Sequence, residues 1–297
     1  GRVQFVSFLA IFITFLNSIE ASPITFNTAT PVAESETMLR VQYSQLRSSD
    51  DPSNANRDFR VESATTTLGY GTSNKLALFI VFPYSERNIR TSEFGAEVRR
   101  SNRGKGDMSI FARYTFWQEN KSNHSVGYSF VGGFIGNSGD HRRDDQYSLL
   151  PWNMQNGQGG KNFIIAALMT YQADGYQVDG QLNLQHNQEA HDYRQGNLIR
   201  LDLSTQYRMW PKQFASRNYG HIYGVLEANI LYQYKHKLGG SPDNNSGGKT
   251  LWLSPGLQFE SKLWQLEAGM QIPIHQDLNG TALKNDHVFV SGFSFTY

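Results

Sequence analysis

The sequence predicts an all-β protein: a single antiparallel transmembrane β-barrel of about twelve strands, with short periplasmic turns and long extracellular loops. Three observations predict it. Apolar and polar residues alternate with period two over most of the chain beyond residue 36. The connections alternate between short and long. The charges of the clearest strands all fall on one phase. Composition agrees with a large β domain: 297 residues, 13% of them aromatic, 18% charged, no Cys and a net charge of +1. The absence of Cys excludes disulfide scaffolds, thiolate metal sites and cysteine nucleophiles. The near-neutral charge argues against nucleic acid as a partner. A mean hydropathy of −0.50 argues against a polytopic helical membrane protein, and the aromatic content against disorder.

Taken in chain order, Arg2 precedes a mostly apolar run over residues 3–16. Small and polar residues follow, with Ala21-Ser22 as a cleavage point, so residues 1–21 read as a secretory signal peptide. The run is shorter than the ~20 residues a spanning helix needs. Residues 22–35, with Pro23 and Pro31, are expected to form an N-terminal periplasmic segment, and residues 36–297 the barrel. Twelve strands are expected at 37–48, 59–70, 75–85, 107–117, 125–136, 163–173, 176–186, 198–209, 222–236, 250–261, 264–273 and 286–297. Most match the ~9–11 tilted residues that cross a bilayer. Tight connections are expected after the second, sixth and tenth strands, at residues 71–74, Asp174-Gly175 and Lys262-Leu263. The Asp-Gly pair is a hairpin signal in which both residues take positive φ. The connections after odd-numbered strands are mostly longer and polar, and the longest spans 137–162. Both chain ends then lie at the periplasmic, short-turn end.

Apolar residues set an outward phase: Ile110, Tyr114, Leu182, Leu201, Leu203, Leu226, Leu253, Leu257 and Leu266 are examples. Charges in the six clearest windows sit on the opposite phase: Arg113, Asp179, Arg200, Asp202, Arg208, Glu227, Lys235, Glu260 and Glu267. Lipid enforces such a split, because Lys or Arg on the lipid face costs about 2–4 kcal/mol at midplane. A soluble β-sandwich or lipocalin-like barrel also alternates, but with its apolar phase inside. As lumen-lining candidates for selectivity we take Arg113, Asp179, Arg200, Asp202, Arg208, Glu227 and Glu267, since charged rings set selectivity in pores. Leu149, Leu150, Trp152 and Met154 in the longest loop could form an apolar gate, or pack within the loop. Phe111, Trp117 and Trp252 are expected inward.

Aromatic residues near strand ends, among them Tyr84, Tyr207, Tyr223 and Trp264, fit interfacial girdles. The last strand alternates and ends on Tyr297. It resembles the terminal-strand signature read by the outer-membrane insertion machinery, which is therefore an expected partner along with outer-membrane lipid. These features together place the chain in the outer membrane of a Gram-negative bacterium.

Several blocks resemble one family. Residues 106–116 open on Gly106-Asp107 and carry the basic–aromatic pair Arg113-Tyr114. Ser254-Pro255-Gly256-Leu257 begins a late strand. Leu266-Glu267-Ala268-Gly269 lies in the next, which ends at Pro273. Pro151, Gly157, Gly159 and Gly160 mark the long loop. In order and spacing these are similar to the outer-membrane barrel family labelled "meta-pathway of phenol degradation", described as transporters. The likeness runs over roughly residues 60–297. The loop departs from the family's Pro-Thr-Gly-Asp start, reading Asn137-Ser138-Gly139-Asp140. The resemblance implies passive uptake of a small solute, an aromatic compound among the candidates.

Nothing in the sequence calls for catalysis or a cofactor. His124-Ser125 are adjacent and point to opposite faces of a strand. Asp140, His141, Asp144 and Asp145 read as a solvated loop run. His186 and His191, near Glu189 and Asp192, are the one candidate metal grouping, and polar loop residues are the simpler reading. No phosphate loop or dinucleotide fingerprint is present. Two rivals to a channel remain. One is a non-conducting structural or binding barrel, closed by inward pairs such as Arg200 and Asp202. The other is an outer-membrane hydrolase.

Overall fold

A computed structural model describes residues 21–29, 32–93, 95–212 and 220–297. No helix among these residues is long and apolar enough to cross a membrane. The chain is instead a succession of antiparallel hairpins. Its strands are β1 (Thr37–Ser48), β2 (Asp58–Gly71), β3 (Leu76–Glu93), β4 in two segments (Ala96–Lys105 and Ser109–Asn120), β5 (His124–Ile135) and β6 (Asn162–Ala173). They continue with β7 (Tyr176–Asn187), β8 (Leu198–Trp210), β9 (His221–Gln233), β10 (Gly248–Glu260), β11 (Trp264–Leu278) and β12 (His287–Thr296). Each strand pairs with the next. β12 returns to β1, from Met38 opposite Thr296 to Arg47 opposite His287. This closes a twelve-strand barrel whose ladder is continuous at membrane level, which is how a sheet satisfies its backbone in lipid; the Ala96–Lys105 segment, beyond that level, pairs with β3 on one side.

The outward apolar phase is exposed on the isolated chain: Leu203 is 54% accessible, Leu257 55% and Ile165 59%. A soluble barrel would hide these side chains. A membrane barrel turns them to lipid, so this orientation settles the choice between the two. The short turns, Tyr297 and the start of β1 share one end, where Thr37 N–H donates to the Tyr297 carbonyl at 2.9 Å.

Three local expectations are corrected. β3, expected over 75–85, runs on to Glu93, and the first segment of β4 pairs with this extension. The second segment pairs with the lower half of β3, the break lying at residues 106–108. The extension stands beyond the apolar band and carries polar residues on both faces, so no hydrophobic period announces it. Trp117 was expected inward, but a register shift between Thr115 and Trp117 turns it outward, where it is 44% exposed. In the turn after β6, Gly175 alone is left-handed, at φ +70°. The Asp174 φ stays negative, so the turn is not the doubly left-handed type expected of Asp-Gly.

The largest departure concerns the N-terminal segment. Residues 22–29 were expected in the periplasm, yet the structure places them inside the barrel. Ile24 packs against Val225 and Val290. Ala29 packs against Val131, Ala166 and Leu168. A third cluster, at the extracellular mouth, joins Phe59, Val61 and Ile89 to Leu150 and Met154 of the long loop. These three clusters replace the single core of a soluble domain.

Candidate functional site

The lumen at membrane level is organised around residues 21–29. Their neighbours in sequence explain why they fit: no residue from 21 to 33 carries a charge. The barrel wall supplies the charged groups, and the segment supplies backbone amides and carbonyls. Ser22 N–H donates to Gln258 Oε1 at 3.3 Å. Ile24 N–H donates to Glu227 Oε1 at 2.6 Å, and Thr25 N–H to Glu227 Oε2 at 3.2 Å. The Thr25 hydroxyl donates to the same carboxylate. Arg40 Nη2 donates to the carbonyls of Pro23 and Ile24, both at 3.2 Å, and to Glu267 Oε1 at 2.7 Å. Gln42 Nε2 joins both, at 2.9 Å to the Ile24 carbonyl and 2.8 Å to Glu267.

Further along, Arg200 bridges Asp202, at 2.7 Å, and the Thr25 carbonyl, at 3.0 Å. Asp202 also accepts from Gln181 and Asn229. Thr28 Oγ1 donates to Asp179 Oδ1 at 3.1 Å. Arg113 Nη1 donates to the Thr28 carbonyl at 2.8 Å, its guanidinium 5.0 Å from the Phe79 ring centroid. Ala29 N–H donates to Thr170 Oγ1, and Ser129 Oγ to the Ala29 carbonyl. The segment is therefore bonded to side chains of β1 and of β4 through β11. At its exit, Gly71 lies so close that a Cβ there would fall 1.9 Å from the Ala33 carbonyl oxygen.

The seven lumen candidates thus all face inward, but as anchors or wall braces. Six belong to the network around the segment. Arg208 lies lower and pairs with Asp174 at 2.8 Å, near the short turns. The four loop candidates divide. Leu150 and Met154 are buried in the mouth cluster. Leu149 is exposed, and Trp152 stacks on Tyr193 of the loop after β7, with ring centroids 4.4 Å apart. The loop at 136–161 folds back onto the inner face of the β3–β4 extension. Asp107 accepts the amides of Gly139 and Gln158, and Asn102 Nδ2 donates to the Met154 carbonyl. Between the loop and the inner faces of β2, β3 and β7 lies a cavity of about 220 Å³, with Ser63, Ser85, Arg87, Asp107, Asn156 and Gln185 among its walls. One of its groups, Asn156 Nδ2, is buried without a hydrogen-bond partner.

The residues weighed for catalysis are brought to structural partners. Asp140 accepts from the Lys105 amide, and Arg143 sits 3.3 Å from it. His141 stacks on His191, while His186 meets Asn197. No cluster of metal-ligating residues occurs among the described residues.

Asp145 clips the loop to the extension through two bonds from Arg100, each 2.8 Å. With the amides of Tyr147 and Ser148, Arg100 holds the Asp145 carboxyl well below the usual carboxylate range. A depressed pKa means a stabilising contribution present above the ordinary value of ~3.9 and lost only as pH falls toward the lowered one. The clip therefore persists from neutral pH to about pH 4. We expect Arg100→Ala to expose the loop at neutral pH, read as faster protease cleavage between residues 141 and 156. Unchanged cleavage would show that the Asp107 anchor suffices.

The signal for the segment's place is the lack of charge over residues 21–33, just after a candidate cleavage point. Taken alone, that stretch reads equally as a linker. Among solved structures, the fold is similar to the COG4313 outer membrane channel from Pseudomonas putida F1. That likeness has a TM-score of 0.70 at 13% identity, over 94% of this chain and 100% of that one. The beta domain of the Bordetella autotransporter Brka has a TM-score of 0.47 at 11% identity, over 89% and 100%. No curated protein matches the sequence. The family described as "Putative MetA-pathway of phenol degradation" matches residues 45–277, and this twelve-strand barrel belongs to it.

Proposed function

We propose that the protein is a passive channel of a Gram-negative outer membrane for a small solute, held closed in this conformation by residues 21–29. The observation that carries this reading is the nature of the closure. An uncharged segment is docked by side-chain hydrogen bonds within a complete barrel wall. It can leave without breaking the backbone ladder. Under the long loop, the cavity of about 220 Å³ is lined by hydroxyls and amides together with Arg87 and Asp107. Such walls suit a solute with hydrogen-bonding groups. A hydroxylated aromatic ring, of the class the family description names, meets both the polar walls and the modest volume. Exposed Tyr297, ending the strand that closes the barrel, is the recognition point for the insertion machinery.

A second reading has the same observation in its favour: the network seals the lumen permanently and the barrel is structural. Solute flux separates the two. In liposomes containing the full-length protein, a hydroxybenzoate, whose charge keeps it from crossing lipid unaided, should enter faster than in protein-free liposomes. Equal rates would leave the structural barrel as the better reading.

A further inference from the structure

The outward face of the extension on β1–β4 carries a cluster that neither the lumen nor the barrel wall requires. Tyr43, Ala64, Tyr84 and Lys105 form one cross-strand row, with Tyr43 39% and Tyr84 51% exposed, at the upper edge of the apolar band. Above it, Gln45, Glu62, Glu86 and Arg103 align. The next two rows place arginines directly opposite one another: Arg47 faces Arg60, and Arg90 faces Arg99. Like charges directly opposed across strands are destabilising. One carboxylate, Asp58, is shared by three of them, at 3.3 Å from Arg47 and 3.4 Å from both Arg60 and Arg90.

These contacts are long. Charge-assisted bonds usually close to about 2.7–2.9 Å, as Arg57 does on Asp51 at 2.6 Å and Arg100 on Asp145 at 2.8 Å in this same protein. Arg47 Nε has no hydrogen-bond partner, and its approach to Asp286 is 3.8 Å. The three side chains around Asp58 remain 42–55% exposed. Arg99 alone has a close partner, Glu97 at 2.6 Å, and is itself 75% exposed. Four guanidiniums thus meet three carboxylates, Asp58, Asp286 and Glu97, on an outward face.

Height identifies the anion. Arg47 and Arg60 lie four residues beyond the tyrosine row, and Arg90 and Arg99 six; that is about 13 and about 20 Å along the strand, or about 10 and about 15 Å in height at barrel tilt. Headgroups occupy roughly 5–8 Å outside the hydrocarbon, and arginine side chains can reach down to them. We propose that this face binds the phosphate groups of a phosphorylated glycolipid in the outer leaflet. Arg47, Arg60, Arg90 and Arg99 donate to phosphate oxygens, relieving the two opposed pairs. Phosphate suits them, because a guanidinium fork pairs with it bidentately. Glu62 and Glu86 below would repel an anion, which directs the phosphate to the upper rows.

The test uses full-length protein in detergent, mixed with a bisphosphorylated lipid A-type glycolipid or its dephosphorylated form, with bound lipid measured by native mass spectrometry. Arg60→Gln combined with Arg99→Gln removes one arginine from each opposed pair and leaves Asp58 with Arg47 and Arg90. The expected result is binding about tenfold weaker than wild type, the size of one charge-assisted bond, and a similar loss on removing the phosphates. Folding of the variant is checked by its boiling-dependent gel shift. If the double variant loses that shift, Arg99→Gln alone is read the same way. Equal binding by a folded variant, or by the dephosphorylated lipid, would overturn the proposal. So would preference for an acidic peptide over the glycolipid.

Discussion

Deleting residues 22–29 should convert a closed barrel into an open one, raising single-channel conductance in planar bilayers by roughly an order of magnitude. The wall does not depend on the segment. Its strands are held by backbone ladders that run from β1 through β12 and back to β1. What the deletion removes is the filling: Ile24 and Ala29 from their clusters, and the carbonyls that Arg40, Arg113 and Arg200 meet. Those guanidiniums then face water in the lumen. Arg40 and Arg200 keep their carboxylate partners Glu267 and Asp202, so the charges that line the open lumen remain largely paired and ion selectivity should be weak. Deleting loop residues 141–156 alone should leave conductance low, because the segment lies deeper than the loop. The reverse pattern would make the loop the closing element.

The barrel was legible because lipid imposes a rule that a sequence must obey. Leu201, Leu203, Leu226 and Leu257 could not exchange phase with Asp202, Glu227 and Gln258 without placing charge or amide in hydrocarbon. That constraint ends with the apolar band. Arg87, Arg90, Arg99 and Arg103 stand beyond it, where both faces of a hairpin are wet, and alternation no longer distinguishes strand from loop. Trp117 shows a related limit. A single register shift inverts every later side chain, and no residue near Thr115 marks its position.

The site was legible by half. The inward phase gives the direction of Arg113, Asp179, Arg200, Asp202, Glu227 and Glu267, because desolvation in lipid forbids the alternative, and says nothing of selectivity. Their partners were hidden for a physical reason. A lumen charge is satisfied equally well by water, by a charge on a neighbouring strand or by a backbone amide from elsewhere in the chain. Period-two reading gives the direction of a side chain and is silent on what fills the space ahead of it. Residues 22–29 have no period, many of the segment's bonds reach residues more than 200 positions away, and such contacts leave no local trace.

Glu227→Ala should release the segment more than any other single change to the wall. Its carboxylate, 1% exposed, takes two backbone amides and one hydroxyl from Ile24 and Thr25, and a fourth bond from Ser204 at 3.3 Å. Alanine leaves the two amides buried without acceptors, at about 1–3 kcal/mol each. A total of about 2–6 kcal/mol against docking corresponds to a rise of at least tenfold in open probability. Glu227→Gln should fall close to alanine. One carboxylate oxygen becomes an NH2 group, which would turn a donor toward one of the segment's donors. Two measurements separate opening from unfolding: channel recordings for open probability, and the boiling-dependent gel shift for the wall. The expected outcome is frequent opening with the shift retained. Loss of the shift would mean that Glu227 holds the barrel itself, and unchanged gating would mean that Arg40, Arg113 and Arg200 dock the segment without it.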